Sequence, residues 1–199
     1  MSSNLITLLR NATTQVHKDL EAMPVSKIIM SPELTVAGYI DYLCKVYAIH
    51  HSIENSVFPV LVETITDVEK RKKIELIIHD LKTLQASIPA EDSFLDADFR
   101  ENVPFCMGMV YVSEGSTLGG QYILKNIQKV LGGQAADATT FLNAYGPRTG
   151  SMWKAFTDIL ITYDESLSEA EMKEVAAGAV YGFERTSVVF SRGLQDRNS

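Results

Sequence analysis

The fold is decided by one stretch of the chain, residues 105–121, which reads Phe105-Cys106-Met107-Gly108-Met109-Val110-Tyr111-Val112-Ser113-Glu114-Gly115-Ser116-Thr117-Leu118-Gly119-Gly120-Gln121. Apolar side chains dominate it, and this character extends from Asn102 to about Leu131. The pair Gly132-Gly133 then gives a strong helix stop, because glycine accepts the left-handed backbone that commonly ends a helix. We therefore predict one long helix over residues 102–131.

Four glycines lie inside this predicted helix, at positions 108, 115, 119 and 120. Each costs about 1 kcal/mol relative to alanine, so together they cost about 4 kcal/mol, a large part of the stability of a typical domain. On a helical wheel Gly108, Gly115 and Gly119 share one stripe, and Gly120 lies further round. Such a bare stripe allows the close approach of a flat ligand or of another helix, and it also indicates a kinked or loosened helix.

Helical periodicity dominates the rest of the chain. Apolar positions recur at helical spacing in six further segments, residues 4–22, 36–58, 67–87, 139–144, 148–163 and 168–194. Pro24 ends the first segment and Pro59 interrupts the second. Ser168 and Glu171 form a capping box before the last. Since no strand-like alternation, internal repeat or linker is found, we predict a single all-α domain over residues 1–199 with about seven or eight helices.

Composition limits the function classes open to the chain. Hydrophobic residues make up 46% and charged residues 22% of its 199 residues, as in ordinary globular proteins. A net charge of −7 argues against a nucleic-acid footprint, which needs a surplus of Lys and Arg. Cys44 and Cys106 lie in apolar stretches and are expected to be reduced and buried. Because neither a signal sequence nor an apolar run of about 18 residues is visible, we expect a cytoplasmic protein that does not enter the membrane.

The first predicted helix carries a histidine at the edge of its apolar stripe. His17 lies beside the stripe that contains Leu9 and Val16, and Glu21 follows one turn later on the same face. There an imidazole can bind a metal through one nitrogen while a carboxylate accepts the N–H of the other. Arg10, two turns before His17, is placed to reach a carboxylate on a bound ligand. The alternative is a surface histidine with an acidic neighbour and no ligand.

Several other histidines and tyrosines could in principle bind a ligand, but their sequence patterns indicate structural roles. His50 and His51 are adjacent on a predicted helix, so they cannot both face one site, and we expect them at the core edge or the surface. Tyr39 and Tyr42 resemble core aromatics more than part of a cofactor site.

Taken together, the two segments resemble the heme oxygenase family. The pattern A-T-x-x-x-H…E occurs at Ala12–Glu21, and E-G-S-T-L-G-G-Q occurs at Glu114–Gln121. The similarity continues in Y-G-P-R-T-G-S-M-W-K-A-F at residues 145–156 and runs through most of the chain. The chain looks closest to the bacterial branch, which includes enzymes that make biliverdin for bacteriophytochromes.

The resemblance implies the helical heme oxygenase fold, with heme b held between the first helix and the glycine-rich helix. His17 would be the axial ligand of the heme iron, and Glu21 would accept its second N–H. Gly115, Gly119 and Gly120 would line the opposite, distal face, where missing side chains leave room for O2.

The implied reaction uses heme as both cofactor and substrate. Heme is cleaved by O2 to biliverdin, CO and Fe2+, and an external ferredoxin or reductase supplies electrons because the sequence has no flavin or nicotinamide fingerprint. We expect a monomer or weak dimer. Two alternatives are a non-catalytic heme carrier or sensor of the same fold, and a different small-molecule enzyme on the same helical architecture that does not bind heme.

One departure from the family pattern lies on the distal side. Many members have Gly-Asp where this chain has Gly115-Ser116, and their aspartate organises the water that delivers protons to bound O2. Ser116 is uncharged, although its hydroxyl can hold a water. The expected catalytic residues are therefore Gly115, Ser116 and Gly119. Tyr111 and Thr117 are further candidates for anchoring waters beside the heme.

The basic residue that holds a heme propionate is also not obvious in this sequence. The candidates are Arg10, Lys18, Arg148 and Arg185, and Arg10 is favoured.

Overall fold

The computed structural model describes residues 4–90 and 94–193 of the chain. Within these ranges it contains seven α-helices and no strand, which confirms the prediction of an all-α fold. The helices are α1 (Asn4–Glu21), α2 (Pro24–Ile29), α3 (Val36–Ser52), α4 (Ile74–Thr83), α5 (Val103–Val130), α6 (Thr149–Asp164) and α7 (Glu169–Ser191). Short 3-10 turns at Val68–Arg71, Gly132–Gln134 and Gly146–Arg148 lie in the connections.

The glycine-rich helix is the central element of the fold. α5 begins after Asn102, whose side-chain oxygen accepts a hydrogen bond from the Phe105 N–H at 2.9 Å. Pro104 fits the first turn, where its missing N–H is not needed. The helix then continues for 28 residues without interruption. The expected loosening at the glycines is therefore wrong, since helical hydrogen bonding passes through them.

Packing between α5 and α7 accounts for one of the four glycines. An added Cβ atom at Gly108 would overlap the backbone carbonyl oxygen of Val175 on α7. Gly178 on α7 is the reciprocal position, where an added Cβ would overlap the carbonyl oxygen of Phe105. The helix-packing interpretation of the glycine stripe is thus correct for Gly108.

The helix with the candidate histidine lies against α6 and α7. Leu5 and Leu9 are buried on the inner face of α1, and the Leu5 N–H donates to the carboxylate of Asp164 at 3.3 Å. Arg10 and His17 lie on the exposed part of α1. The apolar stripe therefore fixes α1 on the two C-terminal helices and leaves its histidine accessible.

The predicted helix over residues 36–58 is shorter in the structure. α3 ends at Ser52 and is followed by a π-helical turn, Ile53–Val57, and a 3-10 turn, Phe58–Leu61. Pro59 has no N–H for a continuing α-helix, which explains the change of helix type.

The predicted helix over residues 67–87 is divided. The 3-10 turn Val68–Arg71 precedes α4, and the break between them is held by the carboxylate of Glu54. This carboxylate accepts hydrogen bonds from the backbone N–H groups of Lys73 at 2.5 Å and Ile74 at 2.9 Å. Glu54 thereby caps the start of α4, a contact between distant parts of the chain that sequence periodicity does not contain.

The short helix predicted over residues 139–144 is wrong, because this segment is a series of turns. The buried carboxylate of Asp80 accepts hydrogen bonds from the backbone N–H groups of Thr140 and Phe141, both at 2.9 Å. The hydroxyl of Tyr39 donates to the Ala138 carbonyl oxygen at 2.7 Å. Side chains from α3 and α4 therefore hold the backbone of this turn segment through hydrogen bonds.

The last two helices agree closely with the predicted segments. The capping box of Ser168 and Glu171 is present at the start of α7. The helix ends at Ser191, so the predicted continuation through residues 192 and 193 is wrong, and residue 194 lies outside the described residues. Cys106 is buried as predicted, and burial raises the pKa of its thiol to about 12. Cys44 is half-buried. In the described ranges, no helix combines the length and apolar character needed to cross a membrane.

Candidate active site

His17 lies on α1 with its ring against α7. The imidazole meets the ring of Phe183 edge-on, with ring centroids 5.3 Å apart and an angle of 71° between the planes. The His17 side chain is 55% exposed, and no residue in the described part of the chain bonds its Nε2 atom. Packing thus holds one side of the ring while a nitrogen stays open to a ligand.

Glu21 faces His17 as the helical spacing predicted. Its Oε1 atom lies 3.6 Å from Nδ1 of His17, and the two side chains are 68% and 55% exposed. This distance is too long for a hydrogen bond, so in this structure the pair is a loose polar contact. A small rotation of either side chain would bring the carboxylate within bonding distance of the imidazole.

The glycines of the C-terminal half of the stripe have different surroundings, and Gly119 faces open space. A Cβ atom added to Gly119 would have no atom within 4 Å, and one added to Gly115 would lie 3.6 Å from the indole of Trp153. Gly120 points elsewhere, towards Leu142, whose side chain lies 3.7 Å from its Cβ position. Gly115 and Gly119 therefore leave an accessible strip of bare backbone, and Gly120 belongs to the inner side of α5.

Tyr111 connects this strip to α1. Its ring packs against Trp153 of α6, with centroids 5.6 Å apart. Burial raises the pKa of the Tyr111 hydroxyl, and the positive charge of Arg10 on α1 opposes this rise. α1 and α5 both pack on α6 and α7, and the charge of Arg10 on α1 acts on Tyr111 of α5. We call the region between the exposed part of α1 and the glycine strip of α5 the cleft, and we treat it as the candidate site.

The other basic candidates are less suited to a carboxylate in this cleft. Arg185 is already engaged, since its Nε donates to the carbonyl oxygen of Phe94 at 2.7 Å and its Nη1 lies 2.6 Å from the carboxylate of Asp96. Lys18 and Arg148 are exposed, as Arg10 is, so exposure does not rank the three. Arg10 remains the favoured candidate because its charge acts on Tyr111 beside the glycine strip.

The hydroxyls of Ser116 and Thr117 are bonded within their own helix. Ser116 Oγ donates to the carbonyl oxygen of Ser113 at 2.7 Å, and Thr117 Oγ1 donates to that of Glu114 at 2.6 Å. Each hydroxyl has then used its only hydrogen, but its oxygen can still accept. Both residues can thus bind a water that donates to them.

A buried group of charges lies behind the glycine strip, and the sequence did not predict it. Glu114, the residue before Gly115, accepts hydrogen bonds from Arg71 Nη1 at 2.5 Å, Lys73 Nζ at 3.0 Å and the Tyr145 hydroxyl at 2.9 Å. We call these four residues the Glu114 cluster. Burial, and then the charge of Glu114, raise the pKa of the Tyr145 hydroxyl well above its usual value, so this hydroxyl stays protonated.

Sequence patterns could not have revealed this cluster. Arg71 and Lys73 lie in a segment rich in Lys and Glu, where such residues are normally solvated, yet they are 0% and 2% exposed. The one signal was Glu114 itself, a charged residue within an apolar run. A buried carboxylate needs a positively charged or hydrogen-bonding partner, but sequence alone does not say where that partner lies.

A small cavity adjoins the Glu114 cluster on the inner side of α5. Its volume is about 30 Å³, enough for one or two water molecules. We call it the Ser116 cavity, and its polar lining consists of Tyr42, Lys73, Ser116, Thr117, Gln121, Tyr145 and Thr149.

The residues of the cleft fit an iron porphyrin. In the described ranges, no group of three or more His, Cys, Asp or Glu side chains could hold a bare metal ion. The cleft does offer one accessible imidazole, and such a site suits a metal whose other ligands come from a macrocycle. Bare backbone at Gly115 and Gly119 and the rings of Trp153 and Phe183 suit its flat, apolar faces. The protein is thus all-helical, and its candidate site has residues that suit a planar, metal-carrying ligand.

Comparisons with known proteins identify the family. The sequence model of the heme oxygenase family matches residues 3–192, so the chain belongs to the heme oxygenase family. It is a heme-degrading oxidoreductase with heme as cofactor and substrate, as the sequence predicted. No curated protein sequence matches the chain.

Solved heme oxygenases share the fold. The NO- and CO-bound enzyme from Neisseria meningitidis has 23% identity and a TM-score of 0.74, with 95% of this chain and 91% of that chain covered. The enzyme from Leptospira interrogans has 18% identity and a TM-score of 0.75, with 96% and 99% covered. Heme oxygenase-1 from Synechocystis sp. PCC6803, solved in complex with heme, has 14% identity and a TM-score of 0.74, with 94% and 90% covered.

Proposed function

We propose that this chain cleaves heme in the cleft between α1 and α5, with His17 as the axial ligand of the iron. The assignment is supported by an accessible imidazole at His17 on α1 and by bare backbone at Gly115 and Gly119 on α5, two helices that pack on the same pair, α6 and α7. When bound, heme supplies the iron at which O2 is activated and is itself the molecule that is cleaved.

On the proximal side, the chain orients the ligand. The edge-on contact with Phe183 restricts the plane of the His17 imidazole. Glu21, 3.6 Å from Nδ1, is placed to accept its N–H when the ring is fixed by a metal, which would select the tautomer with Nε2 free and make the imidazole a stronger donor.

On the distal side, the chain provides space and holds water. Gly115 and Gly119 have no side chain to occupy the position beside the iron, so a small diatomic molecule fits there. Ser116 and Thr117 accept hydrogen bonds from water, because their own hydrogens are bonded within α5. Arg10 and Tyr111 at the side of the cleft are placed to hold a propionate.

The oligomeric state, cellular location and electron donor of the enzyme are part of the same proposal. The chain acts as one domain in the cytoplasm, as a monomer or weak dimer, and an external ferredoxin or reductase supplies its electrons. Its product, biliverdin, is used as a chromophore by a bacteriophytochrome or discarded after iron is released. The sequence supports an external donor, since it carries no flavin or nicotinamide fingerprint.

A hemin titration followed by absorbance tests the assignment. The wild type should form a 1:1 complex with a histidine–heme spectrum, and His17→Ala should lose or change that spectrum. Ascorbate or a ferredoxin system in air should then convert the wild-type complex to biliverdin. Stable binding without ring opening would instead indicate a heme carrier or sensor, and the absence of any complex would refute the assignment.

A further inference from the structure

Trp153 places a readily oxidised side chain beside the glycine strip. Its indole lies 3.6 Å from the Cβ position of Gly115, in the strip that we assign to the ligand. Indole and phenol rings, unlike the ring of phenylalanine, give up a single electron readily. An oxidant formed at the ligand would therefore meet an electron donor next to the strip.

A second oxidisable ring packs against the first. The Tyr111 ring of α5 lies against Trp153, with centroids 5.6 Å apart and an angle of 50° between the planes. Rings at this separation are in contact, and electron transfer between them is fast because its rate falls steeply with distance. Both side chains are half-buried, so Tyr111 also reaches solvent. We call these two residues the Tyr111–Trp153 pair, and they connect the glycine strip with the protein surface.

The core side of Trp153 does not favour a positive charge. Its neighbour there is Phe156, with centroids 6.1 Å apart, and the ring of Phe156 is hard to oxidise. The buried guanidinium of Arg71 lies 5.5 Å from the centroid of the Phe156 ring. This cation repels a positive charge that moves from the indole towards the core. An electron lost from Trp153 is therefore replaced from Tyr111.

Tyr111 can release a proton together with its electron. Burial raises the pKa of the Tyr111 hydroxyl, and the charge of Arg10 on α1 opposes this rise. Once the ring is oxidised, its hydroxyl becomes a strong acid and passes the proton to solvent water, which leaves a neutral radical. The positive charge of Arg10 favours this release and does not destabilise the neutral product.

We propose that the Tyr111–Trp153 pair supplies electrons to the cleft when hydrogen peroxide reacts there, and so protects the ligand and the surrounding side chains from oxidation. Hydrogen peroxide forms when O2 takes up two electrons and two protons and leaves without reacting further. This inference rests on the proposed function, because that reaction brings O2 and electrons together in the cleft.

The electrons and atoms balance over two cycles of the pair. In each cycle Trp153 gives one electron to the reduction of the peroxide, and Tyr111 replaces it and releases its proton to water. The external electron donor of the proposed function then returns one electron to Tyr111, and water returns the proton. Two electrons and two protons convert one hydrogen peroxide to two water molecules, and the pair is restored.

The first test is pulse radiolysis of the heme-free protein in azide solution, where azide radicals oxidise indole preferentially. Because Trp153 is the only tryptophan, the tryptophanyl absorption reports on this residue alone. In the wild type it should decay as the tyrosyl absorption grows, at a rate that does not depend on protein concentration. Tyr111→Phe should prolong the tryptophanyl radical at least about tenfold.

Tyr163→Phe is the matched control for this experiment. Tyr163 lies on α6 with Trp153, but about 15 Å further along the helix at 1.5 Å per residue. This variant should transfer the electron like the wild type. Equal lifetimes of the tryptophanyl radical in the wild type and in a folded Tyr111→Phe would overturn the proposal.

The second test treats the ferric heme complex with hydrogen peroxide and freezes it for electron paramagnetic resonance, a readout that does not depend on turnover. The wild type should show a tyrosyl radical. Tyr111→Phe and Trp153→Phe should each lose most of this signal, and Tyr163→Phe should keep it. A tyrosyl signal of unchanged size in Tyr111→Phe would contradict the proposal.

The two assignments can fail separately. Absence of radical transfer in a protein that binds and cleaves heme would refute the role of the Tyr111–Trp153 pair and leave the proposed function intact. Failure of the wild type to bind heme would refute the proposed function and the protective role together.

Discussion

Gly108 on α5 and Gly178 on α7 mark the point where these two helices cross with their backbones in contact. A Cβ atom at either position would overlap backbone atoms of the other helix, which cannot move aside as a flexible side chain could. This crossing fixes α5, and with it the glycine strip, relative to the helix that packs against His17 through Phe183.

We expect Gly108→Ala to destabilise the protein by about 1–3 kcal/mol, although alanine favours a helix. The two helices must separate to accommodate the new methyl group. Thermal or denaturant unfolding of the heme-free protein measures the change. Gly119→Ala is the matched control, and it should be neutral or up to about 1 kcal/mol stabilising. Equal stabilities of the two variants would contradict the close crossing.

Gly119→Leu should preserve the fold and weaken heme binding at least about tenfold, a loss of about 1.4 kcal/mol. The side chain would extend into the open strip that we assign to the ligand, since nothing lies within 4 Å of its Cβ position. Hemin titration gives the affinity, and the unfolding midpoint of the heme-free variant shows whether the fold is intact. Gly133→Ala, beyond the end of α5 and also in open space, should bind heme like the wild type.

Asp80→Ala should cost about 3 kcal/mol or more in unfolding free energy. The substitution leaves the buried N–H of Phe141 and the N–H of Thr140 without their carboxylate partner. Hydrogen exchange at these two amides should accelerate in parallel. Asp158→Asn, on an exposed pair with Lys154, should change stability by less than about 0.5 kcal/mol. Unchanged exchange at Phe141 would show that Asp80 does not hold this segment.

His50 should make the protein less stable in mild acid. Burial and the charge of Lys73 keep the pKa of the folded state well below 6.5, so the unfolded chain takes up a proton that the folded protein does not. The contribution of His50 to the free energy of unfolding is constant above the pKa of the unfolded chain. It declines as pH falls below about 6.5, by at most about 1.4 kcal/mol per pH unit. Denaturant unfolding between pH 7.5 and pH 5, as approximate limits, should show this decline. His50→Gln should remove that part of the pH dependence, and an identical decline in both proteins would disprove the assignment.

Much of the fold could be predicted because local signals act within each helix. The capping box at Ser168, the cap before α5 and the apolar stripe of α1 all depend on residues within a few positions of one another. The failures occur where distant carboxylates bond the backbone. Glu54 caps the start of α4 inside the segment predicted as one helix over residues 67–87, and Asp80 bonds the turns observed at residues 139–144.

The same contrast holds for the candidate site. Helical spacing brought His17 next to Glu21 and separated Gly120 from Gly115 and Gly119. It could not predict that Lys73 is buried, because that depends on where α5 and the segment with Tyr145 pack. The Ser116 cavity likewise exists only once four separate parts of the chain meet.

Trp153 is the only tryptophan in the chain, and its indole lies 3.6 Å from the Cβ position of Gly115. The tryptophan fluorescence of the unlabelled protein therefore arises entirely from the wall of the cleft. An emission spectrum recorded with excitation selective for indole reports on the polarity and occupancy of that one place. Entry of a metal-free porphyrin can thus be followed as a change in this emission, without a probe dye and without any chemical change in the ligand.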